Sequence, residues 1–213
     1  MGGSRKHRSS LIVGRAVVFL DRDGVLNDPV HDPYDGRPEA PLRAADVVLA
    51  RGAIEGVRAL NEAGIPLVVV SNQPGAAKGK VTSGELRGVH ERVRSLLAAE
   101  GADIADWRYC FHHPDASDPQ LRGACECRKP APGMLLDAAA DHDIDLSRSW
   151  IVGDTDSDVG AGRAAGVGTV LIGHPGSRHR RTDEWIADAQ ADDLQEAAAF
   201  LLLDGELRSP GHA

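Results

Sequence analysis

Five short apolar runs separated by helical patterns leave this chain few folds to choose from. Ala16–Leu20, Ile65–Val70, Trp107–Phe111, Trp150–Val152 and Thr169–Ile172 are short and rich in β-branched or aromatic residues. Such runs predict strands buried on both faces. The segments between them carry helix signals. Ala53–Ala63 stops at Gly64, and Thr82 opens a Thr-x-x-Glu box with Glu85 for a helix running to about Glu100. Pro132 starts a helix reaching Asp143, Ser157–Ala165 stops at Gly166, and Asp193–Leu203 closes the series. Capping boxes, first-turn prolines and terminal glycines satisfy or avoid the unpaired backbone groups at helix ends. This alternation predicts an α/β fold, a doubly wound (Rossmann-like) parallel sheet with helices on both faces. One domain is expected over 11–205, with a disordered basic tail at 1–10 and a flexible end at 206–213.

Charge and composition exclude several classes. With 24 basic and 32 acidic residues, the net charge is −8. Sequence-independent nucleic-acid binding needs a broad basic surface, which this balance does not supply. Aromatic residues make up only 4% of the chain, too few for a base-stacking platform. No stretch approaches the ~18 apolar residues of a membrane span. Arg5, Lys6 and Arg8 precede an apolar run, but Arg15 interrupts it and Asp21-Arg22-Asp23 ends it without a small-residue cleavage site. A cytoplasmic protein is expected, acting as a monomer on a small molecule, with no nucleic-acid or membrane partner.

Ligands of open parallel sheets bind beyond the carboxyl ends of the strands. There the first strand delivers Asp21-x-Asp23-Gly24, the second Ser71-Asn72-Gln73, and the fourth Gly153-Asp154 with Asp158. Carboxylates crowded together repel, so they require a cation or raised pKa values. All-oxygen ligation favours Mg²⁺. One such carboxylate can attack phosphorus, and its neighbour can move the protons. Ser71 is positioned to donate to the phosphoryl group and Lys129 to neutralise it, which describes phosphoryl transfer.

Four ordered motifs carry a resemblance. Asp21-Arg22-Asp23-Gly24-Val25-Leu26-Asn27, Ser71-Asn72-Gln73, Arg128-Lys129-Pro130 and Gly153-Asp154-x-x-x-Asp158 resemble those of the haloacid-dehalogenase superfamily of phosphatases over roughly residues 16–172. Ser71–Gly79, Cys110–Pro114 and Cys125–Pro130 narrow it to the D-glycero-D-manno-heptose 1,7-bisphosphate 7-phosphatases and their relatives, the histidinol-phosphate phosphatases. The resemblance implies a nucleophile at Asp21 and a general acid/base at Asp23. It implies Mg²⁺ on the Asp21 side chain, the Asp23 carbonyl and Asp154, with Ser71 and Lys129 on the phosphoryl group. Arg128 would contact substrate, and Asn27, Asn72 and Gln73 would line the pocket. Asp158 would orient the metal waters or Lys129, or else serve as a first-turn acid favoured by the helix dipole.

Three places depart from the heptose enzymes. Residues 28–34 differ, Pro74 replaces a small residue, and Thr155 stands where a lysine is usual. These positions bear on which sugar is taken, not on the chemistry. Superfamily caps need a folded insert, for which 28–51 and 74–128 leave no room, so a capless enzyme is expected. Its substrate would be a phosphorylated sugar, first the 7-phosphate of the heptose bisphosphate, with histidinol phosphate as the alternative. A phosphoacceptor signalling domain also phosphorylates an aspartate on such a sheet. It would not need Asp23 and would not turn the phosphate over rapidly.

All three cysteines fall within 110–127. Cys110, Cys125 and Cys127 with a histidine make a Cys₃His set, typical of structural Zn²⁺. A Cys125–Cys127 disulfide or plain buried thiols are the alternatives, the former disfavoured by geometry and by the cytosol. Of the adjacent His112 and His113, the resemblance selects His112. Because Arg128 and Lys129 follow Cys127 directly, such a metal would fix the backbone that delivers both cations.

Overall fold

A six-stranded parallel sheet organises the chain. The structure, a computed structural model, describes residues 12–32, 36–182, 184–203 and 205–210. The expected tail at 1–10 lies outside them, as do residues 211–213. The strands are β1 (Val18–Leu20), β4 (Leu67–Asn72), β5 (Asp106–Cys110), β6 (Trp150–Gly153), β7 (Gly168–Ile172) and β8 (Ala189–Ala191), in the spatial order β5-β4-β1-β6-β7-β8. Two short strands, β2 (Val30–His31) and β3 (Pro38–Glu39), form a separate hairpin after β1. The helices are α1 (Ala53–Glu62), α2 (Ser83–Ala99), α3 (Gly133–His142), α4 (Asp156–Ala165) and α5 (Leu194–Leu201).

The period-2 geometry of the central strands explains the layering. Val18 and Leu20 of β1 and Leu67 and Val69 of β4 face a core shared with Val57, Leu60, Val89, Val93, Leu194 and Leu201 of α1, α2 and α5. Their neighbours Phe19, Val68 and Val70 face the opposite core, with Met134, Leu135 and Ala138 of α3 and Ala161 of α4. Strands covered on both sides read as continuous apolar runs, the pattern the sequence carries. The Thr82–Glu85 capping box forms as its spacing predicts.

Two expectations need correction. The end expected to be flexible from 206 is tied down over its described part. Glu206–Leu207 (β10) pairs with Leu202–Leu203 (β9), and Trp150 Nε1 donates to the Arg208 carbonyl at 2.6 Å. A buried indole N–H needs an acceptor, and the returning chain supplies it. The last helix also stops at Leu201 rather than Leu203, because the chain turns there into β9. Between the motifs, the described residues of 28–51 hold the paired β2 and β3 and a single 3₁₀ turn. Residues 74–128 hold α2, β5 and the cysteine loop. Among the described residues there is no folded cap, and the carboxyl edge of the sheet opens onto a cleft.

Candidate active site

β1, β4 and β6 are neighbours in the sheet, so the segments that follow them meet at one edge. The register fixes this: Leu20 pairs with Val69 on one side and with Val152 on the other, and Asp21 N donates to the Val152 carbonyl at 2.9 Å. Asp21, Asp23, Asn72, Arg128, Lys129, Thr155, Lys78, Glu39 and Arg180 line a cleft of about 220 Å³.

Lys129 is the hub. Its Nζ lies 3.1 Å from Asp21 Oδ1 and 2.5 Å from Asp158 Oδ1, and donates to the Val70 carbonyl at 2.7 Å. Burial alone would lower its pKa, but the charges of Asp158 and Asp21 outweigh that and hold it above the ordinary lysine value. Its backbone is clamped by Asn72, whose Oδ1 accepts from Lys129 N at 3.1 Å while Nδ2 donates to the Lys129 carbonyl at 3.0 Å. Asp158 serves both ways open to it. One oxygen takes Lys129, and the other accepts from Thr155 N and Oγ1 at 3.1 and 2.7 Å, capping α4.

Asp21 and Asp154 behave differently from Asp23. Burial, set against Lys129 and reinforced by Asp158 and Asp23, raises the Asp21 pKa. Burial, then Asp21 and Asp158, push Asp154 up to about 8. Asp154 is fully buried, and its Oδ1 has no partner, while Oδ2 accepts from Ser177 Oγ and, at 3.4 Å, Arg180 Nη2. Asp21, Asp154 and Asp158 bring one carboxylate oxygen each within 4.8 Å of one another. Buried carboxylates with an unpartnered oxygen suit a hard divalent cation. Asp23 sits opposite in character. Burial would raise its pKa, but the Arg22 charge and hydrogen bonds from Arg22, Asn27 and Gln73 lower it.

Two residues expected to line the pocket do not. Asn27 Nδ2 and Gln73 Nε2 donate to the two oxygens of Asp23 at 2.9 and 2.6 Å, and both side chains are buried behind it. A buried carboxylate needs donors on every side, and these amides supply them. Gln73 also donates to Ser71 Oγ at 3.0 Å. Residues without a role in the sequence reading include Arg22, His90, Ser177 and Arg180. The run Arg178–Arg181, close after β7, was the available signal for Arg180. Gly24 takes φ +85°, and a methyl there would collide with the Asp154 carboxylate, so the motif's glycine is required by both backbone and packing.

Cys110, His112, Cys125 and Cys127 converge at the end of β5. The sulfur–sulfur distances are 3.1, 3.4 and 3.6 Å, and His112 Nδ1 lies 3.4 Å from Cys127 Sγ and 3.8 Å from Cys110 Sγ. Four donors on one zinc would stand roughly 3.8 Å apart, given Zn–S near 2.3 Å. The three thiols are not paired as a disulfide. Burial, then the Cys127 hydrogen bond, push the Cys110 thiol up, so a cation is what would turn this buried thiol into a thiolate. His113 is turned away and accepts from Asp115 N at 3.0 Å. Arg128 Nη1 donates to the His112 carbonyl at 3.2 Å, tying the cleft to this loop.

Fold and site together define a HAD-like hydrolase. A family model described as HAD-hydrolase-like matches residues 126–197. D-glycero-beta-D-manno-heptose-1,7-bisphosphate 7-phosphatase of Rhodopseudomonas palustris is 40% identical over 153 residues, covering 72% of this chain and 81% of the relative. The enzyme of that name from Escherichia coli K12 is 36% identical, covering 82% and 90%. The crystal structure of D,D-heptose 1,7-bisphosphate phosphatase from B. bronchiseptica, complexed with magnesium and phosphate, superposes with a TM-score of 0.74 at 28% identity, covering 88% of this chain and 98% of that one. The chain belongs to the heptose-1,7-bisphosphate 7-phosphatase family.

Proposed function

We propose that this protein is a phosphoric monoester hydrolase that removes the 7-phosphate of D-glycero-D-manno-heptose 1,7-bisphosphate through an aspartyl phosphate on Asp21. The observation that carries the reading is Asp21 at the cleft floor, with Lys129 on one oxygen and Asp154 beside it bearing an unpartnered buried oxygen. Its relatives' names supply the sugar.

An Asp21 oxygen attacks phosphorus, and the bond from phosphorus to the sugar oxygen breaks. Asp23 gives that oxygen its proton. Water then attacks the phosphorus of the aspartyl phosphate, Asp23 takes the water's proton, and inorganic phosphate leaves Asp21. Asp23 rests ionised, the form suited to the second half. A phosphate dianion beside it opposes the Arg22 field and favours loading the proton needed for the first. Ser71 and Lys129 stabilise the charge on the transferring group. Arg128 binds the sugar phosphate. Thr155 brings no cation to the cleft, and Arg180 supplies one from the turn after β7.

Asp21, Asp154 and the Asp23 carbonyl would hold Mg²⁺, with Asp158 oriented toward Lys129. Bound there, the ion neutralises the crowded carboxylates and polarises a phosphoryl oxygen. Cys110, His112, Cys125 and Cys127 would hold a structural Zn²⁺, their four positions leaving none open for substrate. The cytoplasm suits the three unpaired thiols. No helix among the described residues is long and apolar enough to cross a membrane.

A phosphate-release screen tests the substrate. The heptose bisphosphate is expected to lose one phosphate per molecule, faster than histidinol phosphate or a 3′-phosphorylated oligonucleotide gives up its own. Faster release from histidinol phosphate would overturn the assignment. The metal has a separate test. An aspartate raised to about 8 in the metal-free fold, against about 4 when unfolded, costs stability progressively as pH climbs between the two. Mg²⁺ binds the ionised form, so the rise in Tm it produces should grow from pH 6 to pH 8. Melts with and without Mg²⁺ check this, and a pH-independent rise would count against Asp154 as a ligand.

A further inference from the structure

Behind Asp23 lies the buried arginine whose charge keeps that carboxylate ionised, and one arm of it is turned away from Asp23. Arg22 is fully buried. Its Nε and Nη2 donate to Asp23 Oδ1 at 3.1 and 2.7 Å, and Nη2 also reaches Oδ2 at 3.0 Å. The remaining arm points the other way, with Nη1 2.7 Å from Nδ1 of His90 on α2. A guanidinium only donates, so His90 must accept through Nδ1 and carry its proton on Nε2. Burial, then the Arg22 charge, lower the His90 pKa to about 3, so the ring remains an acceptor at neutral pH. Its ring stacks on Tyr109 of β5, with centroids 4.0 Å apart and planes 19° from parallel.

Packing alone does not account for a histidine here. His90 Nε2 is buried without a partner, a cost that a leucine would avoid. What His90 supplies that an apolar residue would not is the Nδ1 acceptor. The guanidinium is planar and rigid, so fixing one arm fixes the fork that holds the carboxylate.

We infer that His90 is a positioning residue for Asp23, acting through Arg22: by anchoring Nη1 it sets the plane of the fork that aims the Asp23 carboxylate at the cleft. The inference rests on the reading of Asp23 as the acid/base. Asn27 and Gln73 hold the same carboxylate from the sides, so the Arg22 fork is the third restraint. Removing the anchor leaves a buried N–H in search of an acceptor, and the fork turns with it.

His90→Phe keeps an aromatic ring for the Tyr109 stack and removes the acceptor, whereas His90→Asn keeps an acceptor near the Nδ1 position. We expect kcat to fall about tenfold in His90→Phe with KM changed less than about twofold, since misplacement of a reacting group by well under ~1 Å is enough for this. His90→Asn should recover most of the loss. In an Asp23→Asn background, His90→Phe should add no further decrease, because the group it positions is gone. If the Phe variant does not fold, His90→Leu takes its place in the same cycle. A wild-type kcat in the acceptor-free variant while Asp23→Asn is slow would overturn the relay alone. So would the same fold-loss in both backgrounds, or an Asn variant as slow as Phe. A normal rate in Asp23→Asn by itself would remove the acid/base reading and the relay with it.

Discussion

Asp21→Asn is expected to abolish turnover, with a fall in kcat of at least ~10⁴-fold, the scale seen when a covalent nucleophile is deleted. An amide oxygen is a poor nucleophile, and an aspartyl phosphate has no counterpart on an amide. The replacement also turns one of the three carboxylates that Asp21, Asp154 and Asp158 bring within 4.8 Å into a neutral amide, a poorer ligand for a hard cation. Folding should survive. Lys129 keeps Asp158 Oδ1 at 2.5 Å and the Val70 carbonyl at 2.7 Å. Asp21 costs the metal-free fold stability through burial and through repulsion with Asp158 and Asp23. The variant should therefore melt at or above the wild-type temperature while inactive, a separation common where a site is crowded for function. Phosphate release and thermal melts on the same preparations check both halves. More than trace activity in a properly folded variant would rule out attack by Asp21.

The fold was legible where burial on both faces forces continuous apolar runs. Val18–Leu20 and Leu67–Val70 could be read as strands because nothing else suits such runs between helix caps. Ala189–Ala191 could not, since Ala-Gln-Ala carries no strand propensity. It is held as the sheet's edge by pairing with β7, beside an Asp188 carboxylate that accepts from Thr169 N and Oγ1, both at 2.8 Å. The site was legible to the same depth. Strand ends put Asp21, Ser71 and Asp154 at one edge, because topology alone carries residues there. Side-chain direction is another matter. Asn27 and Gln73 follow their strands closely, and nothing in their spacing tells whether they face the substrate or the back of Asp23. Ser177 and Arg180 reach Asp154 from a turn beyond the next strand, a contact that only the folded chain defines.

Cys127→Ser should lose the zinc and with it most of the affinity for substrate. Cys127 Sγ lies close to all three other donors, 3.1 Å from Cys110 Sγ and 3.4 Å from both Cys125 Sγ and His112 Nδ1. Serine nearly matches its shape, but a hydroxyl does not deprotonate to a ligand under conditions where a metal-bound thiol does. Binding energy at such a site is folding energy for the loop around it, so the loop loosens. The two cations beyond Cys127 should not suffer equally. Lys129 is held independently of the loop, by Asn72 at its backbone and by Asp21, Asp158 and Val70 at its amine. The Arg128 guanidinium is tied, through Nη1, to the carbonyl of His112, whose ring stands in the cluster. Loss of the metal therefore frees Arg128 first. KM should rise more than kcat falls, with kcat/KM down on the order of 10²-fold and no rescue by added Mg²⁺. The wild-type protein should contain near-stoichiometric zinc by elemental analysis, and the variant little. Active wild-type protein without zinc would end the argument for the metal. A zinc-free variant with an unchanged KM would keep the metal but refute its hold on Arg128.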